Sequence, residues 1–436
     1  MLVDRFFEME KKYDLFSMKE NGIFIWDLFR MHIYLKYHFP ETKKKYLKRS
    51  FSYKPLLWHF LIPSIKSIPY FMFKNGNIII IPVSRHLNKD KKLHDKSLMN
   101  IISYYESAFI VENHDTNKAY LYDACCDFSR LFRKIYHTVS KKLSVSNYEI
   151  IRDALITTLG ESKITYNELS AIYSNYWSDY TFYKWFFRIK HTRKVFFVQD
   201  GLKKGMILAA HSLKIATYEL QHGSFDRSHL SYSYPDNIKQ GSKFIIFPEN
   251  LLTFGSYWGK DFNLPANIIS IGNDYFTVNN SQEKSKENGL LFISSKIHGK
   301  DLAQLAVNFS IENPNIRIKF KLHSNEIDNI PLYDSLFGKY KNIEIIKSEH
   351  DLHQLIEISE LVVLIASTVA YEALNFGKKI AIYKRVNFMD IQDLFKLPNV
   401  YLLENSSELG QILNLPIAKI DTVFFEKFNE KKMEII

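Results

Sequence analysis

The sequence predicts an α/β protein of two domains, each with a parallel sheet covered by helices on both faces. Its 436 residues are too many for one ordinary core. The continuous β-branched run "NIIII" (77–81) is typical of a strand that is buried on both sides. From residue 289 onward, such runs alternate with short helical segments. This alternation favours right-handed crossovers and therefore a parallel sheet.

The first half begins with helices over residues 1–50. Its strands are predicted, in order, at 75–84, 107–113, 194–201, 215–223, near 253 and near 270. Residues 120–190 and 202–214 are predicted to be helical, which places the adjacent Cys125 and Cys126 in a helix. Adjacent cysteines rarely bridge each other, and no metal-binding spacing is present, so a reducing compartment is expected.

A polar stretch without periodicity, "DYFTVNNSQEKSKENG" (274–289), predicts a linker between the two domains. The first domain is predicted over 1–275 and the second over 285–405. Residues 406–436 are expected to return to the first domain. In the second domain, strands are predicted at 289–295, 316–326, 343–348, 361–367 and 379–384, with helices at 300–312, 351–360 and 368–378.

The charge balance favours an anionic partner. The chain has 58 basic and 47 acidic side chains, a net charge of +11, which suits phosphates, acidic polymers or an anionic membrane. A Lys-rich composition would give the same balance without any such partner. The charged N-terminus is unlike a secretory signal, and no run reaches the roughly 18 apolar residues of a membrane span.

Residues 43–73 join the basic "KKKYLKR" to an apolar, aromatic-rich run. This combination favours a peripheral membrane contact, although a loop packed on the protein body would explain it equally. The expected location is therefore cytoplasmic, at the inner face of a membrane.

Polar motifs stand where the predicted strands end, and ligands of open parallel sheets bind beyond those ends. The motifs are Ser84-Arg85-His86, Asp200-Gly201, Gln221-His222-Gly223, Ser294-Ser295-Lys296, His323 and Ser367-Thr368. We expect the motifs of both halves to face one cleft between the domains.

The motifs of the second half suit a phosphorylated ligand. Ser367 and Thr368 precede a helix whose first N–H groups can bind phosphate, and Glu372 lies within reach of a sugar hydroxyl. An ordinary N-cap with a capping-box glutamate is the alternative. His323 can donate to a phosphate.

A second phosphate contact is predicted directly after the first strand of this half. There Ser294, Ser295 and Lys296 can contact a diphosphate, although neither the Gly-x-Gly-x-x-Gly nor the Walker pattern is present.

Taken in this order, the second half resembles the donor-binding domain of GT-B glycosyltransferases. It most resembles the bacterial capsule and surface-polysaccharide transferases that include Kdo transferases and polysialyltransferases. Their His-Pro at a strand end corresponds to His323-Ser324 here, and their Ser/Thr pair to Ser367-Thr368. The acidic pair before glycine in polysialyltransferases corresponds to Gln199-Asp200-Gly201, which keeps only the second acid. The resemblance covers roughly residues 194–400 and implies two Rossmann-like domains facing a central cleft, with extra N-terminal helices.

Gln221-His222-Gly223 looks like a motif found in many surface-polysaccharide transferases of this fold. Gly223 permits a tight turn beside a ligand, and His222 can take a proton from an acceptor hydroxyl or bind a phosphate. Asp200 would orient this imidazole or act as the base itself. The remaining acceptor-side residues are predicted to be Arg85, Gln221, His229 and Tyr232. A buried histidine satisfied by backbone carbonyls is the structural alternative.

The predicted activity is transfer of a sugar from a nucleotide-activated donor to a glycan or lipid-linked glycan of a bacterial capsule or O-antigen. The chain contains no Asp-x-Asp motif, so no metal or other cofactor is expected. Positive side chains and helix N-termini would stabilise the leaving phosphate instead.

Three other functions remain open: a polyol-phosphate transferase of the teichoic-acid type, a non-catalytic polyanion-binding protein, and a sugar-nucleotide epimerase. The basic residues are scattered, and no RRM-type, KH-type or helix-turn-helix signature is present, so nucleic acid is not an expected partner.

Overall fold

The computed structural model describes most of the chain. The described residues are 2–38, 65–84, 86, 87, 90, 92–112, 119–139, 143–225, 229–238, 244–260, 263–277, 289–295, 297–323, 326, 329–347 and 351–436. At positions 86, 87 and 200 only the backbone is described. Among the predicted features, Arg85, Lys296, residues 43–64 and most of the linker lie outside these ranges.

The described part of the chain begins with two helices and a hairpin: α1 (Leu2–Lys12), β1 (Lys19–Glu20), β2 (Ile23–Phe24) and α2 (Trp26–His38). The hairpin turns through Asn21 and Gly22, both with positive φ, which is the backbone geometry that an Asn-Gly pair adopts readily. The helical pattern of this segment predicts the helices and not the hairpin between them.

The first domain continues with helices and strands in the predicted region. In chain order these are α3 (Ile68–Phe73), β3 (Ile78–Ile81), β4 (His86–Leu87), β5 (Leu93–His94), α4 (Met99–Tyr104), β6 (Phe109–Glu112), β7 (Cys125–Cys126), α5 (Ser129–Val139), α6 (Tyr148–Leu159), α7 (Tyr166–Ile189), β8 (Lys194–Phe197), α8 (Lys204–Ser212), β9 (Ala216–Leu220), β10 (Asn250–Thr253) and β11 (Asn267–Ser270). A 7-stranded parallel sheet has the order β11-β10-β9-β8-β3-β6-β7, and β4 and β5 form a separate antiparallel pair.

The second domain repeats this architecture. Its elements are β12 (Gly289–Ile293), α9 (Gly299–Glu312), β13 (Arg317–Lys321), α10 (Ile330–Phe337), β14 (Ile343–Ile346), α11 (Leu352–Ile358), β15 (Leu361–Leu364), α12 (Val369–Asn375), β16 (Lys379–Tyr383), β17 (Val400–Leu403) and α13 (Ser407–Asn414), and α14 (Glu430–Ile435) ends the chain. The 6-stranded sheet has the order β14-β13-β12-β15-β16-β17, and every pairing in it is parallel.

The central strands are the continuous apolar runs, because both faces of each sheet are covered. Ile79 and Ile80 point to opposite faces of β3, and both are fully buried. Leu291 and Phe292 are placed in the same way in β12. These two parallel sheets, with the helices that precede them, confirm the predicted fold class: α/β, GT-B, two Rossmann-like domains with extra N-terminal helices.

The helix predicted over Cys125 and Cys126 is wrong. Both cysteines are buried in β7, where Cys125 pairs with Val111 of β6. A strand of two residues is too short to show periodicity in the sequence. It forms only through pairing with the edge of β6, which is a tertiary contact. The neighbouring Asp127 donates its backbone N–H to Glu112, which extends the pairing by one bond.

The C-terminal tail is divided between the two domains. Leu409 and Ile412 of α13 are buried in the core of the second domain, where α13 packs on α9 and β17. The segment that follows returns to the first sheet, where Glu426 donates its N–H to Phe254 and Asn429 donates to Ile271. The last residue accepts a hydrogen bond from the hydroxyl of Tyr218.

Candidate active site

Each sheet has a crevice at the point where its strand order reverses. In the first sheet the chain moves outward from β3 through β6 and then returns to β8 on the other side of β3. In the second sheet the same reversal separates β12 from β15. Crossovers on the two sides of such a point leave a crevice beyond the carboxyl ends of the strands, and ligands of open α/β sheets bind there.

The predicted motifs of the first half stand at its crevice. Ser84 follows β3, and Asp200 follows β8. Gln199 has a φ of 66°, so the chain turns sharply before Asp200, which begins a 3-10 turn over Asp200–Leu202. The topology thus places the backbone of Asp200 at the crevice, one strand away from the end of β9, where His222 lies.

The carboxyl edge of the first sheet lies against the second domain. A Cβ placed on Gly223 would lie 3.4 Å from Cγ2 of Thr368. The rings of Trp258 and Tyr371 are 4.8 Å apart. Since Gly223 follows His222 and Thr368 precedes α12, the turn at His222 and the start of that helix come together between the domains.

Gln221 orders the turn at His222 through both ends of its side-chain amide. It is fully buried, its side-chain nitrogen donates to the carbonyl of Gly223 at 2.9 Å, and its side-chain oxygen accepts from the N–H of Phe254 at 2.9 Å. Both ends of the amide thus bond to groups of the protein, and contact of Gln221 with an acceptor stays a prediction. His222 follows it and is partly buried.

Tyr232 also has an internal role. It is 2% exposed, and its hydroxyl donates to Oε1 of the buried Glu219 at 2.5 Å. The hydroxyl proton is thus used within the core, and contact of Tyr232 with an acceptor stays a prediction. Its ring packs on His229, with 5.0 Å between the centroids.

His229 is a neutral imidazole at the interface between the domains. Its pKa is lowered to about 4, chiefly by burial and also by the neighbouring His38, while Asp390 acts in the opposite direction. Its Nδ1 is buried and has no hydrogen-bond partner among the described residues. His38 ends α2, and its Nε2 lies 3.4 Å from Oδ2 of Asp390 in the second domain.

An internal ion pair fixes the loop that carries His229. Arg30 of α2 donates to the carbonyls of Leu230 at 2.6 Å and Ser233 at 2.8 Å. Its charge is paired with Glu10, and both side chains are buried. Removing Glu10 would leave the charge of Arg30 buried and uncompensated. The ion pair therefore keeps Arg30 in the position from which it bonds to the loop.

A tight turn after β12 borders the crevice of the second domain. Ser294 is buried directly after β12, and Ser295 accepts the N–H of His298 on its hydroxyl at 3.3 Å and that of Gly299 on its carbonyl at 2.8 Å. A Cβ on Gly299 would lie 2.1 Å from the hydroxyl of Tyr333, so only glycine fits there. Ser295 therefore leads directly into α9 at the crevice.

His323 follows β13, and Ser367 and Thr368 follow β15, the two strands on either side of β12. His323 is exposed just after β13. Ser367 accepts the N–H of Val369 on its hydroxyl at 3.2 Å, and Thr368 is exposed before α12. The three predicted donor residues thus share one edge of the sheet with Ser295.

Glu372 is paired with a histidine that the sequence analysis did not single out. It is 7% exposed, and its Oε2 lies 2.7 Å from Nε2 of His353 in α11. It therefore makes an interhelical contact instead of the capping box considered above. His353 follows the helix cap Asp351 by two residues, and only the packing of α11 on α12 brings it to Glu372.

A further carboxylate that the sequence analysis missed lies beside the first crevice. Glu112 ends β6, is 2% exposed, and accepts the N–H of Ser84 on Oε1 at 3.2 Å. The preceding N–H, that of Val83, donates to Oδ2 of the buried Asp95 at 2.7 Å. Burial raises the pKa of Glu112 to about 7, and the charge of Asp95 adds to the increase.

No protein-family model and no curated protein matches this chain. Among solved structures, UDP-GlcNAc 2-epimerase from Methanocaldococcus jannaschii is similar over 82% of this chain and 98% of its own, with 15% identity and a TM-score of 0.45. The glycosyltransferase of kitacinnamycin matches over 78% and 90%, with 10% identity and a TM-score of 0.46.

UDP-GlcNAc 2-epimerase from Neisseria meningitidis bound to UDP-GlcNAc matches over 78% of this chain and 94% of its own, with 10% identity and a TM-score of 0.43. At these values the likenesses do not indicate what this chain binds or catalyses.

Within the described ranges, no group of three or more His, Cys, Asp or Glu side chains is arranged to hold a metal ion. In the same ranges, no helix has the length and apolar character needed to cross a bilayer.

Proposed function

We propose that this chain is a glycosyltransferase that moves a sugar from a nucleotide-activated donor to a growing bacterial surface polysaccharide, a capsule or an O-antigen. One observation carries the proposal: the crevices of two Rossmann-like sheets come together at Gly223 and Thr368, with polar residues at both. Transfer between two substrates needs a site of this kind, because each substrate can occupy the crevice of one domain.

The second domain would hold the donor. Ser367, Thr368 and the first N–H groups of α12 would bind phosphate, and Ser294, Ser295, Lys296 and His323 would lie beside them on the same edge. Glu372 would accept hydrogen bonds from sugar hydroxyls, in the orientation that His353 fixes.

The first domain would bring the acceptor and the base. His222 or Asp200 would take the proton from the acceptor hydroxyl, whose oxygen forms a bond to the anomeric carbon as the bond from that carbon to the donor phosphate breaks. The freed nucleotide leaves with the electron pair of that bond. Arg85 and His229 would contact the acceptor, with His229 acting as a neutral hydrogen-bonding group because burial lowers its pKa to about 4.

We further propose that the enzyme works without a bound metal and lies at the cytoplasmic face of a membrane. An exposed apolar surface on α3 and in the residues just before it supports the membrane contact: Ile65, Met72 and Phe73 are 61%, 65% and 88% exposed. Lys66 beside them is also exposed. Apolar side chains next to basic residues are the combination that binds anionic lipid surfaces.

A thermal-shift screen of nucleotide sugars, followed by a transfer assay with the ligands that bind, tests the function. A ligand that binds only the folded protein stabilises it by about 2.7 kcal/mol at 100 times its Kd. The melting temperature therefore rises. Sugar transfer from such a ligand supports the proposal. Transfer of a polyol phosphate from a CDP-polyol would replace it with the teichoic-acid type of activity. Binding of polyanions without any binding of nucleotides would support a non-catalytic polyanion-binding protein instead.

A further inference from the structure

The exposed apolar surface at α3 continues onto a helix that is distant from it in the sequence. The carboxyl end of α7 carries Trp185, Arg188 and Ile189, and all three side chains are exposed. Trp185 is 51% exposed and Ile189 is 47% exposed. Residues three and four apart lie on one face of a helix. This end of α7 therefore presents an aromatic, a basic and an aliphatic side chain together at the surface.

Direct contacts join this end of α7 to α3. The rings of Trp185 and Phe71 are stacked, with 6.3 Å between their centroids and 12° between their planes. Lys190, which follows α7, donates from its ammonium group to the carbonyl of Phe71 and to that of Lys74 at 3.1 Å. A Cβ on Gly76 would lie 2.5 Å from Cβ of Lys190, so a side chain there would separate the two segments. The two helix ends are thus packed together, and their exposed residues form one surface.

The charge on these two segments is entirely basic. Residues 65–78 and 181–194 contain no aspartate and no glutamate. Lys66, Arg188 and Arg193 are exposed. The exposed apolar side chains of the two segments are Ile65, Ile68, Met72, Phe73, Trp185 and Ile189. Such a surface complements an anionic bilayer, because the apolar groups can insert while the basic groups contact lipid phosphates. Tryptophan in particular favours the boundary between headgroups and acyl chains.

We propose that α3 and the carboxyl end of α7 form one docking surface for an anionic lipid bilayer, with Trp185 and Ile189 inserted beside Phe73 and with Arg188 on the lipid phosphates. The surface deepens the proposed function, on which it rests, by naming the lipid at which the enzyme would meet a lipid-linked acceptor. Phe73 and Ile189 lie shortly before the amino ends of β3 and β8, whereas the candidate active site lies beyond the carboxyl ends of these strands. Docking therefore leaves the active site open.

Co-sedimentation of the full chain with vesicles tests the surface. Vesicles of phosphatidylglycerol and phosphatidylcholine supply the anionic bilayer, and vesicles of phosphatidylcholine alone supply the neutral one. The wild type should prefer the anionic vesicles, and added salt should weaken this preference by screening. Trp185→Ser and Ile189→Ser should each lower the partition coefficient about tenfold, the scale of one apolar side chain withdrawn from lipid. Arg188→Gln should lower it about fivefold, the scale of one basic residue near the surface.

Matched controls separate this surface from general stickiness or charge. Ile156 of α6 is 45% exposed, close to the value for Ile189, and Arg317 at the start of β13 is exposed like Arg188. Ile156→Ser and Arg317→Gln should leave vesicle binding unchanged. Trp185→Phe keeps an aromatic ring and should keep most of the binding. Melting temperatures establish that all variants are folded.

Several results would overturn the proposal. They are equal losses in the control variants, normal binding by the serine variants, and a folded wild type that ignores anionic vesicles or binds neutral ones equally. Sedimentation velocity covers the other occupant of an apolar surface, a second copy of this chain. A dimer that Trp185→Ser disrupts, in a protein that does not bind vesicles, would assign the surface to self-association instead.

Vesicle binding is measured without sugar transfer, so the surface and the proposed function can fail separately. Binding that depends on Trp185 and Ile189, in a protein that binds no nucleotide sugar, would support the surface and contradict the function. Sugar transfer by a chain that binds no anionic vesicles would overturn the surface and leave the transfer activity standing.

Discussion

Replacing Glu112 with glutamine should increase the stability of the protein relative to the wild type as the pH rises from about 4.5 to 7. Burial raises the pKa of this carboxyl from 4.5 to about 7, so between these values the folded state binds a proton that the unfolded state has lost. The stabilising effect of that proton is complete below pH 4.5 and is lost as the pH rises through about 7. At about 1.4 kcal/mol per pH unit, the loss amounts to about 3 kcal/mol at pH 8.

The variant removes this dependence and keeps the local contact, because the glutamine oxygen can still accept the N–H of Ser84. Oε2 of Glu112 has no hydrogen-bond partner in the described part of the chain, so the new NH₂ group adds a cost that is the same at every pH. The informative quantity is therefore the change with pH of the difference between variant and wild type.

Urea unfolding followed by tryptophan fluorescence at pH 5, 6, 7 and 8 measures that difference. It should rise in favour of Glu112→Gln by about 2.5 kcal/mol across the series. The exposed Glu106, replaced in the same way, is the control and should show no comparable trend. A flat difference for Glu112→Gln would refute the argument, because it would mean that the carboxyl titrates alike in the folded and unfolded chain.

Three further predictions concern the donor site, the metal and the membrane. Replacing Ser367 and Thr368 together by alanine should weaken binding of the donor nucleotide by about 1 to 3 kcal/mol, measured by titration calorimetry, and unchanged affinity would reject these two residues as ligands. Sugar transfer should persist in EDTA; abolition that Mg²⁺ or Mn²⁺ reverses would contradict the metal-free mechanism. Phe73→Ser should reduce co-sedimentation with anionic vesicles, whereas Ile435→Ser, at a side chain that is also 88% exposed, should not. Equal binding of both variants would contradict a membrane-binding surface at α3.

The fold was largely predictable because its strands are continuous apolar runs bounded by turn residues. β3, β8 and β12 are buried on both faces, so their composition alone distinguishes them from surface segments. β7 was not predictable, because Cys125 and Cys126 form a strand only through pairing with β6. The β1–β2 hairpin had a signal, Asn21-Gly22, that was overlooked beside the helical pattern around it.

The site was predictable only to the level of strand ends. Parallel sheets bring those ends to one edge, which is why motifs far apart in sequence meet at the domain interface. The sequence does not reveal which polar side chains are used internally: Gln221 and Tyr232 bond to groups of the protein, although each lies in a polar loop. The contacts of Lys96 with Tyr275 and of His353 with Glu372 could not be predicted, because they join elements that are distant in the chain.

The rate of sugar transfer in His222→Ala decides whether the interdomain site is catalytic, with the donor identified by the nucleotide screen and Asp200→Asn measured in parallel. If the interdomain site is catalytic and His222 is its base, the variant should stay folded and bind donor normally. Its transfer rate should fall by about 100- to 10,000-fold, the usual effect of losing a general base. Near-normal transfer by folded His222→Ala would make the histidine structural and leave Asp200 as the base. Near-normal transfer by both variants would contradict an active site at this interface.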